Sequence, residues 1–380
     1  MYRLLHAGFD KLDVAFAAEI PETLLLRLAV AKEAAALQRE PAFATLGPNK
    51  LPAHVMESGG RGGYAFVVDT GTTGERLLFK QPRPKDPWTV FASVKAETLL
   101  TLGYHGAQAQ LLQRLADLGV RIAEASVNRV DFAIDFLAPG FVLDPNRFAT
   151  RGRAKERVHW ADGKAKTEAA SMVIAGRAVQ SVTVGKMPGR QVIVYDKRAE
   201  VLVRGTKHWF EAWGIAPEDA TACVWRIELR AGKKELKECW HIRSFAELEA
   251  GIGPMLRDLM QAFRYLAAGE HDSNVSRRAP DPLWLAAAEV LQRQLADFGG
   301  GLARDRLIEL TREGAREIYR QQLIGNAIGL LVTEGLANDA ILAALPAMLG
   351  EPTEPLSPTE RWRIRDAIRR ARERLHFVAG

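Results

Sequence analysis

The chain reads as an α+β protein, with an antiparallel sheet and packed helices over residues 1–240 and a mainly helical C-terminal region over 241–380. Three observations predict this. Short segments that alternate apolar and polar residues recur up to Arg230, the period of half-buried strands. Turn-forming clusters and returning helices join them, which suits antiparallel neighbours better than a doubly wound parallel sheet. From about residue 245 the apolar spacing changes to that of helices.

Taken in order, residues 11–16 alternate as a strand, and Pro21 opens an Ala/Leu-rich helix that runs to about Gln38. Strand-like segments at 63–69 and 76–80 flank the turn-forming run 70–74. A further strand is placed within 90–102, and 107–118 forms an amphipathic helix that ends near Gly119. A strand at 127–136 follows, then a hairpin with arms at 180–185 and 190–196 around the turn 186–189. A helix through about 198–213 leads to a strand at 225–230. Residues 11–16 echo residues 129–134 in pattern, and a true repeat would divide the domain into two β-α-β-type halves. Beyond 245, helices are expected near 245–268, 282–298, 302–325, 327–349 and 358–376. Pro280 and Pro282 mark one boundary, and Pro352, Pro355 and Pro358 another.

With 380 residues, 47% hydrophobic and 26% charged, the composition is that of a globular protein with room for two or three domains. No stretch reaches the ~18 apolar residues of a membrane span. The N-terminus lacks a signal-peptide core, so a cytoplasmic protein is expected. Cys223 and Cys239 belong to no metal-ligand cluster, and a disulfide is not expected in a reducing compartment. The eight histidines form no His-X-His or His-Glu-X-X-His run, and the glycines around Arg61 match neither a P-loop nor a dinucleotide fingerprint. The net charge of +6 favours a polyanionic partner. Much of the excess sits in Arg151, Arg153, Lys155, Arg157, Lys164 and Lys166, and in a C-terminal run of seven arginines from Arg361 to Arg374. Each run also reads as a solvated face.

Three segments carry chemistry. In 190–200, alternation places Ile193, Tyr195 and Lys197 on one strand face, and a tyrosine beside a lysine suggests an aryl-oxide nucleophile for a phosphodiester. In 129–136, Asp131 and Asp135 share a face with Arg129, while Val130, Phe132, Ile134 and Phe136 fill the other. Those carboxylates lie about 13 Å apart along a strand, so one is the better ligand and the other stands at the rim. In 225–230, Glu228 can complete an oxygen-rich site for magnesium or manganese, flanked by Arg226 and Arg230. The plainer reading makes Tyr195 a packing residue and the carboxylates cross-strand ion pairs on a wet sheet. A phenol of pKa about 10 needs a cation, a metal or a base beside it to attack at neutral pH. Lys197 and the strand carrying Arg226 and Arg230 are placed to supply the field, and Glu200 is either a base or a solvated residue at the start of a helix.

These segments resemble the replication initiation factor family (Rep_trans), the rolling-circle initiators of plasmids and some filamentous phages, which also includes relaxases of certain conjugative elements. The matching residues are Arg129 to Asp135, Tyr195-Asp196-Lys197-Arg198-Ala199-Glu200, and Trp225 to Glu228, in family order. The resemblance covers approximately residues 8–240 and does not extend to the last 140. It implies a nicking and strand-transfer enzyme with Tyr195 as nucleophile, forming a 5′-phosphotyrosyl link. Asp131, Asp135 and Glu228 would serve as ligands of a divalent metal. It further implies that Lys197, Arg226 and Arg129 position phosphate, with Arg190 and Arg230 as additional DNA contacts. The partner would be DNA, single-stranded at the nick in a replication origin or origin of transfer, with a host helicase as a further expected partner. Two other classes also fit the residues: a non-catalytic DNA-binding protein, and a metal-dependent nuclease in which water attacks.

Overall fold

The computed structural model describes residues 2–150, 170–175, 178–269, 277–293, 302–334, 336, 338–350 and 367–379. The basic cluster between Arg151 and Lys166, and Arg361, Arg363 and Arg365, lie outside these residues. The fold is α+β, built on a fully antiparallel sheet. In chain order its strands are β1 (Arg3–Glu19), β2 (Ala42–Leu46), β3 (Leu51–Val55), β4 (Phe66–Asp69), β5 (Glu75–Phe79) and β6 (Trp88–Val94). These are followed by β7 (Arg121–Leu137), β9 (Ala170–Ala175), β10 (Ala178–Gly185), β11 (Arg190–Asp196) and β12 (Val224–Gly232). A separate two-stranded pair joins β8 (Phe148–Thr150) to β13 (Phe263–Tyr265).

Across the main sheet the order is β2-β3-β4-β5-β6-β1-β7-β12-β11-β10-β9. The first strand of each half therefore lies at the centre, its last strand lies beside it, and the others follow outward in reverse order. At the centre Leu12 pairs with Val130, Lys11 with Asp131 and Asp13 with Arg129. Exchanging Lys11 with Arg129 and Asp13 with Asp131 maps this pairing onto itself, so the echo noted in the sequence corresponds to a pseudo-two-fold axis through the central pair.

One sheet face carries the core. Leu12, Val14 and Phe16 of β1, Val130, Phe132 and Ile134 of β7, and Val192 and Val194 of β11 are buried there. They pack with α1 (Glu22–Gln38), α2 (Ala96–Asp117) and α5 (Phe245–Ala262) through residues such as Leu28, Leu111 and Leu256. Helix α5 starts at a capping box in which Ser244 and Glu247 satisfy each other's backbone N–H groups. Because α5 and α6 (Pro282–Arg293) contribute to the same core, the boundary expected at 240 falls inside one packed unit.

On the opposite face lie α3 (Lys197–Arg204), α4 (His208–Trp213) and the start of α7 (Arg304–Thr333), around Val201, Trp209, Phe210, Trp213 and Leu307. Helix α8 (Asn338–Gly350) follows α7, and helical residues 367–374 and His376–Ala379 close the described chain. No described helix is long and apolar enough to cross a membrane.

Several expected elements change extent. The strand expected at 11–16 spans Arg3–Glu19, because register shifts between Leu4 and His6, Phe9 and Lys11, and two later pairs interrupt its alternation. The helix expected from 107 starts at Ala96, with Gly103 at φ 65° marking a kink inside it. The single helix expected at 198–213 is two, separated at Gly205 (φ 69°). The helix expected to reach 268 stops at Ala262 and passes into β13.

Leu12 has no exposed surface and sits where the two halves meet. Leu12→Ala should lower unfolding free energy by about 2–5 kcal/mol. Leu26→Ala, at a position 61% exposed, should change it by less than about 0.5 kcal/mol. Urea denaturation of both variants provides the comparison.

Candidate active site

Strand β11 presents Tyr195 on the face away from the main core. The chain then turns at once into α3, because the Asp196 side chain accepts a hydrogen bond from Ala199 N–H at 2.9 Å and caps the helix. Lys197 is therefore the first helical residue and not the outward strand position that alternation predicts. Its ammonium still returns to the site, 2.6 Å from Glu200 Oε2, over the rings of Trp209 at 5.0 Å and Tyr195 at 5.8 Å.

The register assembles the rest. Arg226 lies opposite Asp135, Glu228 opposite Ala133 and Arg230 opposite Asp131 across β12 and β7. On the other side of β12, Tyr195 lies opposite Arg226 and Ile193 opposite Glu228. Side chains at these positions share one face. They line a cleft of about 680 Å³ that includes Asp10, Lys11, Arg129, Asp131, Tyr195, Lys197, Glu228 and Arg230.

Two ionic groups occupy this face. In the outer group, Arg129 grips Asp131 through two hydrogen bonds of 2.8 and 2.6 Å. Arg230 Nε lies 2.7 Å from Glu228 Oε1 and 3.4 Å from Asp131 Oδ2. The Tyr195 hydroxyl donates to Glu228 Oε2 at 3.2 Å. In the inner group, Arg226 donates to both Asp135 oxygens at 2.6 and 2.8 Å and to Asp10 Oδ1 at 2.6 Å. Trp213 Nε1 donates to Asp135 at 2.9 Å, and the guanidinium stacks 4.3 Å from the Trp209 ring.

This arrangement revises three residue assignments. Asp135 is fully buried with both oxygens engaged, so it is a partner of Arg226 and not a free ligand. Arg226 itself has no exposed surface and cannot touch a phosphate. It acts on the site through its charge. Arg190 points to the core-side face, where it pairs with Asp258 at 3.0 Å and lies near Glu235, so it is not in the cleft. Asp10, Trp209 and Trp213 were not identified from the sequence. The register shift between Phe9 and Lys11 hides Asp10 from a period-of-two reading. The tryptophans lie in a helix whose apolar residues read as ordinary packing.

Charge and burial set the proton affinities. Burial pushes the Asp131 carboxyl up to about 7, with Glu228 adding to the rise and Arg129 and Arg230 opposing it. Burial alone would raise Asp135 too, but the charge and hydrogen bonds of Arg226 hold it below the usual carboxylate range. The Tyr195 phenol is raised well above its ordinary value by burial, against the pull of Arg226 and with Glu228 adding to the rise. Burial, then Arg226, lowers Lys197. The resting phenol is thus held protonated, with a carboxylate oxygen as its hydrogen-bond acceptor.

Among the described residues no cluster of three or more His, Cys, Asp or Glu side chains is arranged to hold a metal ion. Asp131 and Glu228 do make a two-carboxylate set, since both reach the same Arg230 nitrogen. Burial is the main cause of the raised Asp131 carboxyl, and the neighbouring Glu228 adds to it. A magnesium-type ion commonly takes one or two carboxylates. Here it would have to displace Arg129 from Asp131 and Arg230 or Tyr195 from Glu228, since both carboxylates are buried with both oxygens engaged.

The two groups should have opposite signatures in stability. Asp135, with its folded pKa depressed, contributes stability above the unfolded carboxylate value, and this is lost as pH falls through the folded value. Asp131, raised from 3.8 to about 7, favours folding in its protonated form, and that contribution is lost as pH rises across this interval. Asp135→Asn should cost about 3–5 kcal/mol at neutral pH, because it leaves a buried arginine underpaired. Asp131→Asn should remove the fall in stability between 3.8 and about 7. Urea midpoints measured across that range check both.

No protein-family model and no curated protein matches the chain. Among solved structures it is similar to a rolling-circle replication initiator protein from Geobacillus stearothermophilus. The identity is 13% and the TM-score 0.41, over 77% of this chain and 97% of that one.

Proposed function

We propose that the protein is a DNA-nicking and strand-transfer enzyme of the rolling-circle initiator type, acting at a replication origin or an origin of transfer. The observation that carries this reading is the Tyr195 hydroxyl. It sits in a cation-lined cleft, 3.2 Å from Glu228 and beside the Lys197 ammonium. Such a group is placed to attack, and its neighbours are placed to manage charge.

In the proposed step, Tyr195 Oη bonds to the scissile phosphorus as the bond from phosphorus to the 3′ oxygen breaks. The phenol proton passes to Glu228, and the departing 3′ oxygen takes up a proton from water to become a hydroxyl. The product is a 5′-phosphotyrosyl link, which retains phosphodiester energy, so attack by a 3′-hydroxyl rejoins a strand without ATP. Arg129 and Arg230 flank the cleft with guanidinium groups suited to phosphate oxygens, and Lys197 adds a point charge. Buried Arg226 opposes the rise of the phenol pKa without contacting substrate. Asp131 and Glu228 would hold magnesium or manganese, which when bound polarises the scissile phosphate.

A second reading, a DNA-binding protein without catalysis, draws on the ion pairs that already engage Asp131 and Glu228. Incubation with single-stranded or supercoiled origin DNA and manganese, followed by denaturing electrophoresis, separates the two. The wild-type protein should form a covalent DNA adduct, and Tyr195→Phe should abolish it. Nicking that persists in Tyr195→Phe would assign the attack to water, while binding without cleavage under any metal would leave the second reading.

Asp131→Asn and Glu228→Gln should each reduce cleavage by at least about tenfold, the scale of one lost electrostatic or proton-accepting contact. DNA affinity should change much less. Cleavage assays paired with anisotropy titrations of the same variants measure the two effects, and equal losses would make these residues structural.

A further inference from the structure

The cleft around Tyr195 reaches Lys11 on β1, and the same sheet face extends beyond it into the N-terminal half. There β5 buries Leu77 and Phe79 toward the core, while Arg76, Leu78 and the following Lys80 face the other way. Leu78 pairs with half-buried Phe91 of β6. The Tyr64 ring lies 5.9 Å from the Phe91 ring, and Lys80 Nζ lies 4.9 Å from the centre of the Tyr64 ring. Farther out, the C-terminal helical residues cover β2 and β3. His54 Nε2 lies 2.6 Å from the Glu373 carbonyl oxygen, and the Phe43 and His376 rings are 4.5 Å apart. Arg369 and Arg372 of residues 367–374 are exposed there.

We infer that this face is the track for the single strand flanking the scissile phosphate, leading from Tyr195 past Lys11 to Tyr64 and Phe91 and on to the arginines of residues 367–374. This rests on the proposed nicking function and assigns that site a path for its substrate. Three features support the occupant. The track lies on the same sheet face as the cleft. It carries the exposed Arg76, Arg372 and Arg374 beside cations that now pair with carboxylates, Lys11 with Asp13, Lys80 with Asp86 and Arg369 with Glu373, which a phosphate backbone could replace. It sets an aromatic ring against a cation. Unpaired bases stack on aromatic rings while lysine and arginine follow the backbone, and a closed duplex offers no base face to such rings. From Tyr195 to Leu78 the track crosses five inter-strand spacings, about 24 Å. It further runs the length of β1 from His6, level with Tyr195, to Ala15, level with Phe91, about 30 Å, long enough for several nucleotides. It also gives the exposed arginines of residues 367–374 a role that a solvated helix face does not.

Fluorescein-labelled oligothymidylates of about 4 and about 16 nucleotides, titrated without divalent metal and followed by anisotropy, test this. The longer oligonucleotide should bind wild type more tightly. Tyr64→Ala/Lys80→Ala should lose roughly tenfold in affinity for it, as expected for one stacked base and one phosphate contact, with little change for the shorter one. Arg76→Ala/Lys80→Ala, which alters only partly or fully exposed side chains, guards against misfolding and should reduce the salt slope by about 0.7 per lost phosphate contact. Arg369→Glu/Arg372→Glu should also reduce affinity and salt slope for the longer strand. Unchanged affinity and slope in all three variants overturn the track, as does equal binding of blunt duplex. If the variants lose affinity but wild type forms no adduct at Tyr195, the track stands and the nicking reading fails. Adduct formation with unaltered affinity in the variants gives the converse.

Discussion

A guanidinium with no exposure to water, Arg226, is the interaction on which the geometry of this site depends. From β12 it reaches partners on two other strands, Asp135 on β7 and Asp10 on β1. Moving such charges out of water costs several kcal/mol per ion, so the group is stable only while every partner is present and well oriented. A one-residue slip of β12 against β7 would turn Arg226 to the core face and leave buried, unpaired carboxylates behind. By comparison, an exposed pair such as Arg121 with Glu19 contributes little, because solvent screens it. The inner ionic group therefore locks the β12–β7 register that sets Arg230 and Glu228 beside Asp131.

Two tryptophans complete that lock. Trp213 satisfies Asp135 with its indole N–H, and Trp209 covers the guanidinium with its ring while its centre lies 5.0 Å from the Lys197 ammonium. Both cations are thereby held at one aromatic surface where water is scarce. The same exclusion of water raises the Tyr195 phenol, so the hydroxyl is placed for chemistry but held in its neutral form. Position and readiness are set by different parts of the site. Position comes from the sheet, and readiness depends on what charge enters the cleft.

Period-of-two patterning made the strands carrying Asp131, Tyr195 and Glu228 legible, because in each of them a row of Val, Ile, Leu or Phe marks the buried face. It also showed that Asp131 and Asp135 do not serve as one ligand pair, since four residues of strand hold them apart. Burial was not legible in the same way. Alternation shows which side chains share a face but does not show which of those faces a helix later covers. Arg226 thus read as a phosphate contact until α4 was seen over it. Arg190 failed for a simpler reason, since alternation from Val192 and Val194 already assigns it to the core side. Asp10 stayed hidden behind a register shift, and α5 was assigned to a separate region because helical periodicity alone does not reveal the surface a helix packs on.

The pseudo-two-fold axis explains why one half holds reactive groups and the other a bare platform. Under the exchange of Asp13 with Asp131 and Ala15 with Ala133, Ser93 takes the place of Arg230 and Phe91 the place of Glu228. Asp13 accepts a hydrogen bond from Ser93 Oγ at 2.7 Å where Asp131 meets a guanidinium. One strand further out, Leu78 stands for Ile193, and Lys80 stands where Tyr195 would be. The frame is shared, but the chemistry is not. In the C-terminal half these positions gather carboxylates, arginines and a hydroxyl, which only a buried ionic lock can hold together. In the N-terminal half the same positions carry the Phe91 ring and the Lys80 ammonium, which is held by a single partly exposed carboxylate, Asp86, at 2.7 Å. Because the two sets lie on one face of one continuous sheet, the proposed track runs from Tyr195 through Lys11 to the aromatic rings without leaving that surface.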